Sequence, residues 1–502
     1  MKHIHLIGIG GSGLSAIARL LKEMGYTVSG SDRAETPFLA HLKAAGVILS
    51  IGHHPENIAG ADLVVRSSAI SDDNPEVLAA QAAGIPVLKR SDFLGHLMTG
   101  KTGIAVAGTH GKTTSTAMLA WVLTALGQEP SFIVGGVLNN LGTNARAGSG
   151  KTFVIEADEY DRMFLGLKPV IAVVTNVEHD HPDCYPTPAD FQAAFLEFVN
   201  LLPSDGVLVA CAEDAGAKAL LAEARKVGKR TAAYGISDQL SVSRDQLSVT
   251  SDQLSVTSDQ WAVAKNLHTN ERGGFSFEAI VNPLTGTLRG RQSPNGDAAR
   301  SSIPRRGRFA VVNLQVPGEH NVRNALAVLS VVYLLGLPLD AAAEALGQFT
   351  GTGRRFEVRG EANGIVVIDD YAHHPTEIRA TLAAARSRYA RRRLWAVWQP
   401  HTYSRTQTLF AEFSRAFTDA DQVIVTEVYA AREQIQDFSA AQVVKAMPHP
   451  SAHFIPNIAE VSNYLVAHLR PGDVLLVLSA GDADLVSTQV LASLQNREAR
   501  HA

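Results

Sequence analysis

Residues 103–127 read GIAVAGTHGKTTSTAMLAWVLTALG. GIAVAG is a short apolar run of the kind that forms a buried strand. TTSTAMLAWVLTALG (113–127) has the length and composition of a helix, closed by Gly127. Between them stands Gly108-Thr109-His110-Gly111-Lys112-Thr113-Thr114. A glycine-rich turn from a strand into a helix aims backbone N–H groups at an anion. The lysine then reaches terminal phosphates, and the Thr113 hydroxyl suits Mg²⁺. The strict phosphate-loop spacing wants glycine at 106, where this chain has Val106, so the loop is a variant.

Upstream, HIHLIGI (3–9) predicts a strand and GSGLSAIARLLKEMG (11–25) a helix. They are joined by Gly8-Ile9-Gly10-Gly11-Ser12-Gly13. YTVSGSD (26–32) is the next strand and ends on Asp32, 19 residues after Gly13. This is a dinucleotide fingerprint in its usual setting. It indicates a bound pyrophosphate more firmly than it indicates NAD, because any nucleoside diphosphate has the same needs. ADLVVRSSA (61–69) and IPVLK (85–89) are further strands of the same alternating pattern.

Downstream, FVIEAD (153–158), PVIAVVTNV (169–177), GVLVAC (206–211) and TAAYG alternate with helical segments. GIVVIDDYA (364–372), RLWAVWQP (393–400), QVIVTEVY (422–429) and DVLLVLSA (473–480) form another strand set. The pattern predicts an α/β protein of three units. These are an N-terminal Rossmann-like domain (1–98), a central P-loop ATPase-like domain with a mostly parallel sheet (99–352), and a C-terminal Rossmann-like domain (353–502). A chain of 502 residues agrees with about three domains. Two stretches break the pattern. Residues 237–260 repeat SDQLSVT in a seven-residue register and read as an insertion. Residues 282–308, rich in Gly, Pro, Arg and Ser, read as a polar loop.

Composition narrows the function. With 45 Lys+Arg against 49 Asp+Glu, bulk charge does not hold nucleic acid. Two cysteines, Cys184 and Cys211, exclude a disulfide scaffold and lack zinc spacing. No window approaches a membrane span, and residues 1–30 do not read as a signal peptide, so a cytoplasmic protein is expected.

Other polar groups fall at strand ends. Glu156 ends one strand, and His181 follows another in Asn176-Val177-Glu178-His179-Asp180-His181. Carboxylate and imidazole can share a Mg²⁺ with phosphate, although spacing does not choose among His179, His181 and Asp183. Asn321 and Asn324 open a helix in GEHNVRN (318–324). Arg354 and Arg355 in TGRRF (352–356) suit a phosphate clamp. Asp369-Asp370-Tyr371-Ala372-His373-His374-Pro375 and QPHTYSRT (399–406), with Arg405, follow strands of the third unit.

In this order, GTHGKTT, the Glu156/His181 pair, EHNVRN, TGRRF, DDYAHHPTE and QPHTYSRT resemble the Mur ligase family. The resemblance spans nearly the whole chain outside the two irregular stretches. It implies an ATP- and Mg²⁺-dependent enzyme of peptidoglycan precursor synthesis, joining L-alanine to the carboxylate of UDP-N-acetylmuramate through an acyl phosphate. Gly10, Gly11, Ser12, Gly13 and Asp32, with Ser67 and Ser68, would hold the UDP-sugar. Gly108 to Thr114 would bind ATP, with Lys112 on its phosphates. Thr113, Glu156 and His181 would serve the metal. Asn321 would face adenine with Asn324 in support, and Arg355 and Asp370 would join the nucleotide site. Tyr371, His373 and Arg405 would sit near the amino acid. Some members carry arginine after the histidine of QPH; here it is Thr402, which leaves Arg405 for the carboxylate. The implied partners are the two substrates, without nucleic acid or membrane, in a monomer or homodimer. Two alternatives stay open: a relative that attaches a whole tripeptide, and an NAD-dependent oxidoreductase built on GIGGSG.

Overall fold

The computed structural model describes residues 2–236, 261–282 and 308–501, apart from Arg432. Residues 237–260 and 283–307, which include the repeat and almost all of the polar stretch, lie outside the described residues, as does the Ser12 side chain.

The first sheet contains β1 (His3–Ile7), β2 (Thr27–Asp32), β3 (Ile48–Ile51), β4 (Leu63–Arg66) and β5 (Val87–Lys89). Its order is β3-β2-β1-β4-β5, with all pairs parallel. The chain reverses direction across the sheet between β1 and β4. That places the loop after β1 and Ser67, after β4, side by side at the carboxyl edge. The helix Ser12–Glu23 buries Leu14, Ile17, Leu20 and Leu21 on this sheet, the stripe expected from helical spacing.

The second sheet has ten strands: β6 (Thr102–Ala107), β7 (Ser131–Leu138), β8 (Thr143–Arg146), β9 (Thr152–Glu156), β10 (Ile171–Val174), β11 (Val207–Cys211), β12 (Arg230–Ile236), β13 (Ala262–Thr269), β14 (Phe275–Val281) and β15 (Arg308–Asn313). The order is β15-β14-β13-β12-β11-β10-β6-β9-β7-β8. From β7 to β13 across the centre the strands are parallel; β8, β14 and β15 add antiparallel edges. The centre is covered on both faces, so β10 and β11 read as unbroken apolar runs, every residue buried. The helix Lys112–Ala125 leaves β6 in the middle of this sheet. It packs against a second, largely buried helix, Glu319–Leu334.

The third sheet contains β16 (Glu357–Ala362), β17 (Ile365–Asp370), β18 (Leu394–Trp398), β19 (Gln422–Val425), β20 (Ala452–Phe454) and β21 (Val474–Leu478), in the order β16-β17-β21-β18-β19-β20. Only its edge strand β16 runs antiparallel. Separate apolar clusters fill the two faces of this sheet.

The sheets are joined by specific contacts. Arg19 donates to the Thr143 hydroxyl at 2.7 Å, and Glu23 accepts from the Ala147 amide at 2.7 Å, which seats the first helix against β8. Toward the third sheet, Gly353 N donates to Val137 O at 2.9 Å and Leu138 bridges Thr352. Among the described residues, no helix is long and apolar enough to cross a membrane.

Candidate active site

The carboxyl ends of β6, β9 and β10 converge. After β6 the chain turns through Gly108 (φ 135°) and Gly111 (φ 78°), both in backbone regions that disfavour side chains. A Cβ on Gly108 would also stand 2.0 Å from the Thr175 hydroxyl. The Lys112 ammonium lies over its own loop, 2.6 Å from Gly108 O and 3.2 Å from Thr109 O. It also donates to Glu159 Oε1 at 2.8 Å. Burial opposes the Lys112 charge, but the carboxylates of Glu159 and Asp158 outweigh it and hold the lysine cationic.

Thr113 donates to Glu156 Oε1 at 2.9 Å, and Glu156 Oε2 accepts from Gly135 N at 2.6 Å. Burial lifts the Glu156 carboxyl above its ordinary range, against the pull of Lys112. These hard oxygen donors, a threonine hydroxyl and a half-buried carboxylate, fit a divalent cation. The other half of the expected pair, His181, faces Glu159. His181 (φ 55°) places Nε2 3.5 Å from Glu159 Oε1 and 3.8 Å from Asp180 Oδ2. Glu159, 1% exposed, thus stands between Lys112 and His181. The EADE spacing of 156–159 is the signal that would have found it. Of the loop's other polar groups, His179 Nε2 is tied to Tyr185 O (2.8 Å) and Asp183 accepts from the Tyr160 hydroxyl (3.1 Å).

A cavity of about 520 Å³ opens beside the phosphate loop, walled by the second and third units. His110, Gly111, Thr113 and Thr114 line one side, Asn321 and Asn324 another, and Arg355, Asp370 and Glu377 the third. Asn321 does not cap its helix; Gly318 does. Both asparagines are buried. Asn321 donates to Pro317 O at 2.7 Å and accepts from Asn324 Nδ2 at 3.1 Å. Asn324 Oδ1 would lie 2.9 Å from a Cβ on Gly111, so the helix and the phosphate loop touch.

The two adjacent arginines separate. Arg354 is tied to Asp369 (3.0 Å) and Ser479 O (2.8 Å) and holds the third sheet together. Both guanidiniums lie over the Tyr371 ring, Arg354 at 5.2 Å and Arg355 at 5.1 Å, and of the two Arg355 lines the cavity. Asp370 accepts from the amides of Phe356 and Ala372, each at 2.7 Å. Burial raises its carboxyl to about 6 despite Arg355. His373 donates from Nδ1 to Tyr371 O (2.9 Å), and burial keeps the ring neutral with a pKa of about 3.

The second and third units meet through charge. His110 bridges Glu178 Oε2 (2.9 Å) and Glu377 Oε1 (3.2 Å), and Thr376 donates to Glu178 Oε1 at 2.8 Å. Burial opposes the charge on His110, but the two carboxylates lift its pKa to about 9. His110, Glu178 and His374 lie close enough to ligate a metal. His374 Nδ1, however, accepts from Thr376 N, which leaves the proton on Nε2 and no lone pair there for an ion. Asp180 and Arg405 form a second cross-unit contact, Nε to Oδ1 at 2.9 Å.

The His110 bridge has a pH signature. A pKa raised from 6.5 to about 9 contributes stability that is fully present below 6.5 and lost as pH rises through about 9. Melting temperature is expected to fall over that window by on the order of 3–6 °C more in the natural protein than in His110→Gln. Parallel profiles for the two proteins would contradict the bridge.

In the first unit, the glycine loop is held by Asp32, whose Oδ2 accepts from Gly10 N at 2.8 Å. Asp32 therefore shapes the loop. Gly11 N closes on Gly8 O at 3.3 Å, and Ser67 packs within 3.1 Å of where a Gly8 Cβ would be. Ser68 lies beside it on the surface. Sequence reasoning missed Arg90. Its guanidinium covers Gly13, where a Cβ would stand 1.7 Å from it, and reaches toward Asp158 at 3.8 Å. No feature of the sequence around Arg90 points to that contact.

Comparison with known proteins follows the same three units. Residues 3–102 match the Mur ligase family, catalytic domain; 106–332 the Mur ligase middle domain; and 354–481 the Mur ligase, glutamate ligase domain. A Solidesulfovibrio magneticus protein named UDP-N-acetylmuramate–L-alanine ligase is 40% identical over 498 residues, 98% of each chain. A Roseiflexus protein of the same name is 41% identical over 99% of this chain and 100% of its own. Among solved structures, UDP-N-acetylmuramate-alanine ligase from Thermotoga maritima has a TM-score of 0.74 at 28% identity, covering 99% of this chain and 100% of its own. A murein peptide ligase from Psychrobacter arcticus has a TM-score of 0.68 at 27% identity, covering 99% of both. With all three units matched and full-length relatives near 40% identity, this chain belongs to the Mur ligase family.

Proposed function

We propose that the chain is an ATP-dependent ligase that joins L-alanine to the carboxylate of UDP-N-acetylmuramate, in the cytoplasm, as a monomer or homodimer. The observation that carries this reading is the cavity between the second and third units. The phosphate loop forms one wall, and Arg355, Asp370 and Glu377 form the wall facing it. Full-length relatives named for this activity support the acceptor.

In this reading residues 1–98 bind the UDP-sugar, 99–352 bind ATP, and 353–502 bind the amino acid. The first backbone amides of the helix Lys112–Ala125 surround phosphate oxygens, and Lys112 swings from Glu159 onto them. Asn321 faces the adenine, supported by Asn324. Thr113 and Glu156 would hold Mg²⁺, with His181 and Glu159 close by. When bound, the ion offsets negative charge on the phosphates.

A carboxylate is a poor electrophile, so the muramyl carboxylate first attacks the γ-phosphorus. The bond to the ADP oxygen breaks, and an acyl phosphate forms. The alanine amine then attacks the acyl carbon, loses a proton, and phosphate leaves. Lys112 and Arg355 stabilise the charge on the transferring group. Arg405 reads the alanine carboxylate, and neutral His373 sits near the amine. The His110 contact with Glu377 brings the third unit down on the second, which keeps water from the acyl phosphate.

The test is ATP turnover with L-alanine, glycine, L-serine and tripeptide as acceptors. Turnover is expected to require the UDP-sugar and to be fastest with L-alanine. Turnover with tripeptide alone would replace this reading with the tripeptide ligase.

A further inference from the structure

This inference rests on the reading of Arg405 as the group that recognises the acceptor carboxylate. In the structure that guanidinium already holds a carboxylate. Asp180 accepts from Nε at 2.9 Å and from Nη2 at 3.3 Å, the two-pronged contact that an amino-acid carboxylate would make. Nη1 lies 3.1 Å from Nδ1 of His401 and 3.4 Å from its carbonyl oxygen. Every nitrogen of the fork is thus engaged. Arg405 is 5% exposed and Asp180 4%, so solvent does not compete for the pair. The partners come from different units: Asp180 follows β10, and Arg405 lies in the helix Tyr403–Thr408 after β18.

We propose that Asp180 is a positioning residue that occupies the acceptor-carboxylate seat on Arg405, so that the amino acid binds by carboxylate exchange. Two consequences follow. Asp180 keeps a buried guanidinium paired and aimed while the seat has no substrate. It also competes with the acceptor, so the apparent affinity for the amino acid is its intrinsic affinity reduced by the fraction of molecules with the seat open. The acceptor then binds more weakly than an unoccupied seat would allow.

The test uses the full-length protein and steady-state ADP formation. Turnover of the natural protein with L-alanine tests the functional reading itself; its absence would remove that reading and is distinct from the outcomes below. Given turnover, Asp180→Asn is expected to lower KM for L-alanine fivefold or more, with KM for ATP and for the UDP-sugar within twofold. A merely structural role for Asp180 lowers kcat or raises KM, but does not lower it. A KM for L-alanine at or above that of the natural protein would overturn the proposal. Asp180→Ala is the second variant, with the same expectation. In the natural protein, L-alaninamide, which has no carboxylate to exchange, is expected to show kcat/KM at least tenfold below L-alanine; a smaller difference would overturn the proposal without any variant.

Discussion

Replacing Lys112 with alanine is expected to lower kcat by on the order of a thousandfold or more, while the UDP-sugar still binds. The lysine is the cation of the phosphate loop. It lies within 3.2 Å of two loop carbonyls and pairs with Glu159. Its removal takes away charge where the transferring phosphoryl group gathers it. It also leaves Glu159, 1% exposed, with only His181 at 3.5 Å, a loss of about 3–5 kcal/mol for a broken buried pair. The variant should therefore melt earlier as well as turn over more slowly. Calorimetry with UDP-N-acetylmuramate separates the two units. The glycine loop is built by Asp32 and Gly10 within the first sheet and does not depend on Lys112. Loss of both turnover and UDP-sugar binding would contradict this division of labour.

Glu377→Ala is expected to lower kcat about a hundredfold, the equivalent of about 3 kcal/mol for an opened buried ion pair. Glu377 accepts from the amides of His373 (3.0 Å) and His374 (3.3 Å) and faces His110 at 3.2 Å. It is thus at once the reciprocal cap of the helix Pro375–Arg388 and the partner of an imidazolium on the phosphate loop. Burial opposes its ionisation, but the His110 imidazolium and Arg355 beside it hold its carboxyl well below the usual range. Without it the third unit keeps its fold but loses its grip on the loop. KM for the UDP-sugar should stay within twofold, because that site lies on the first unit. A kcat within threefold of the natural protein would show that the bridge does not govern closure.

Much of this was legible before any coordinates. The strand–loop–helix at 103–127 and the glycine loop at 8–13 depend on local rules of backbone and spacing, and both form where expected. The main strands did too, because buried parallel strands are continuous apolar runs. The β7–β8 hairpin and the edge strand β16 were missed: β7 carries GG at 135–136, and β16 reads EVRGEA, with glycine and charge where a strand pattern needs apolar alternation. The residues that close the site were hidden for a different reason. His110–Glu377 and Asp180–Arg405 are 267 and 225 positions apart, and nothing local to either partner names the other. Glu178, Asp180 and Glu377 were quoted within motifs but acquired roles only when two sheets met. Arg354 and Arg355 looked equivalent in sequence; the positive φ of Arg354 (58°) turns one toward Asp369 and leaves the other at the cavity.

The central claim is that the muramyl carboxylate is activated by phosphoryl transfer. The most direct measurement uses UDP-N-acetylmuramate labelled with ¹⁸O in that carboxylate, together with ATP and L-alanine. Mass analysis of the released phosphate is expected to show one carboxylate oxygen carried into each phosphate. Unlabelled phosphate formed alongside the amide product would contradict the acyl-phosphate route.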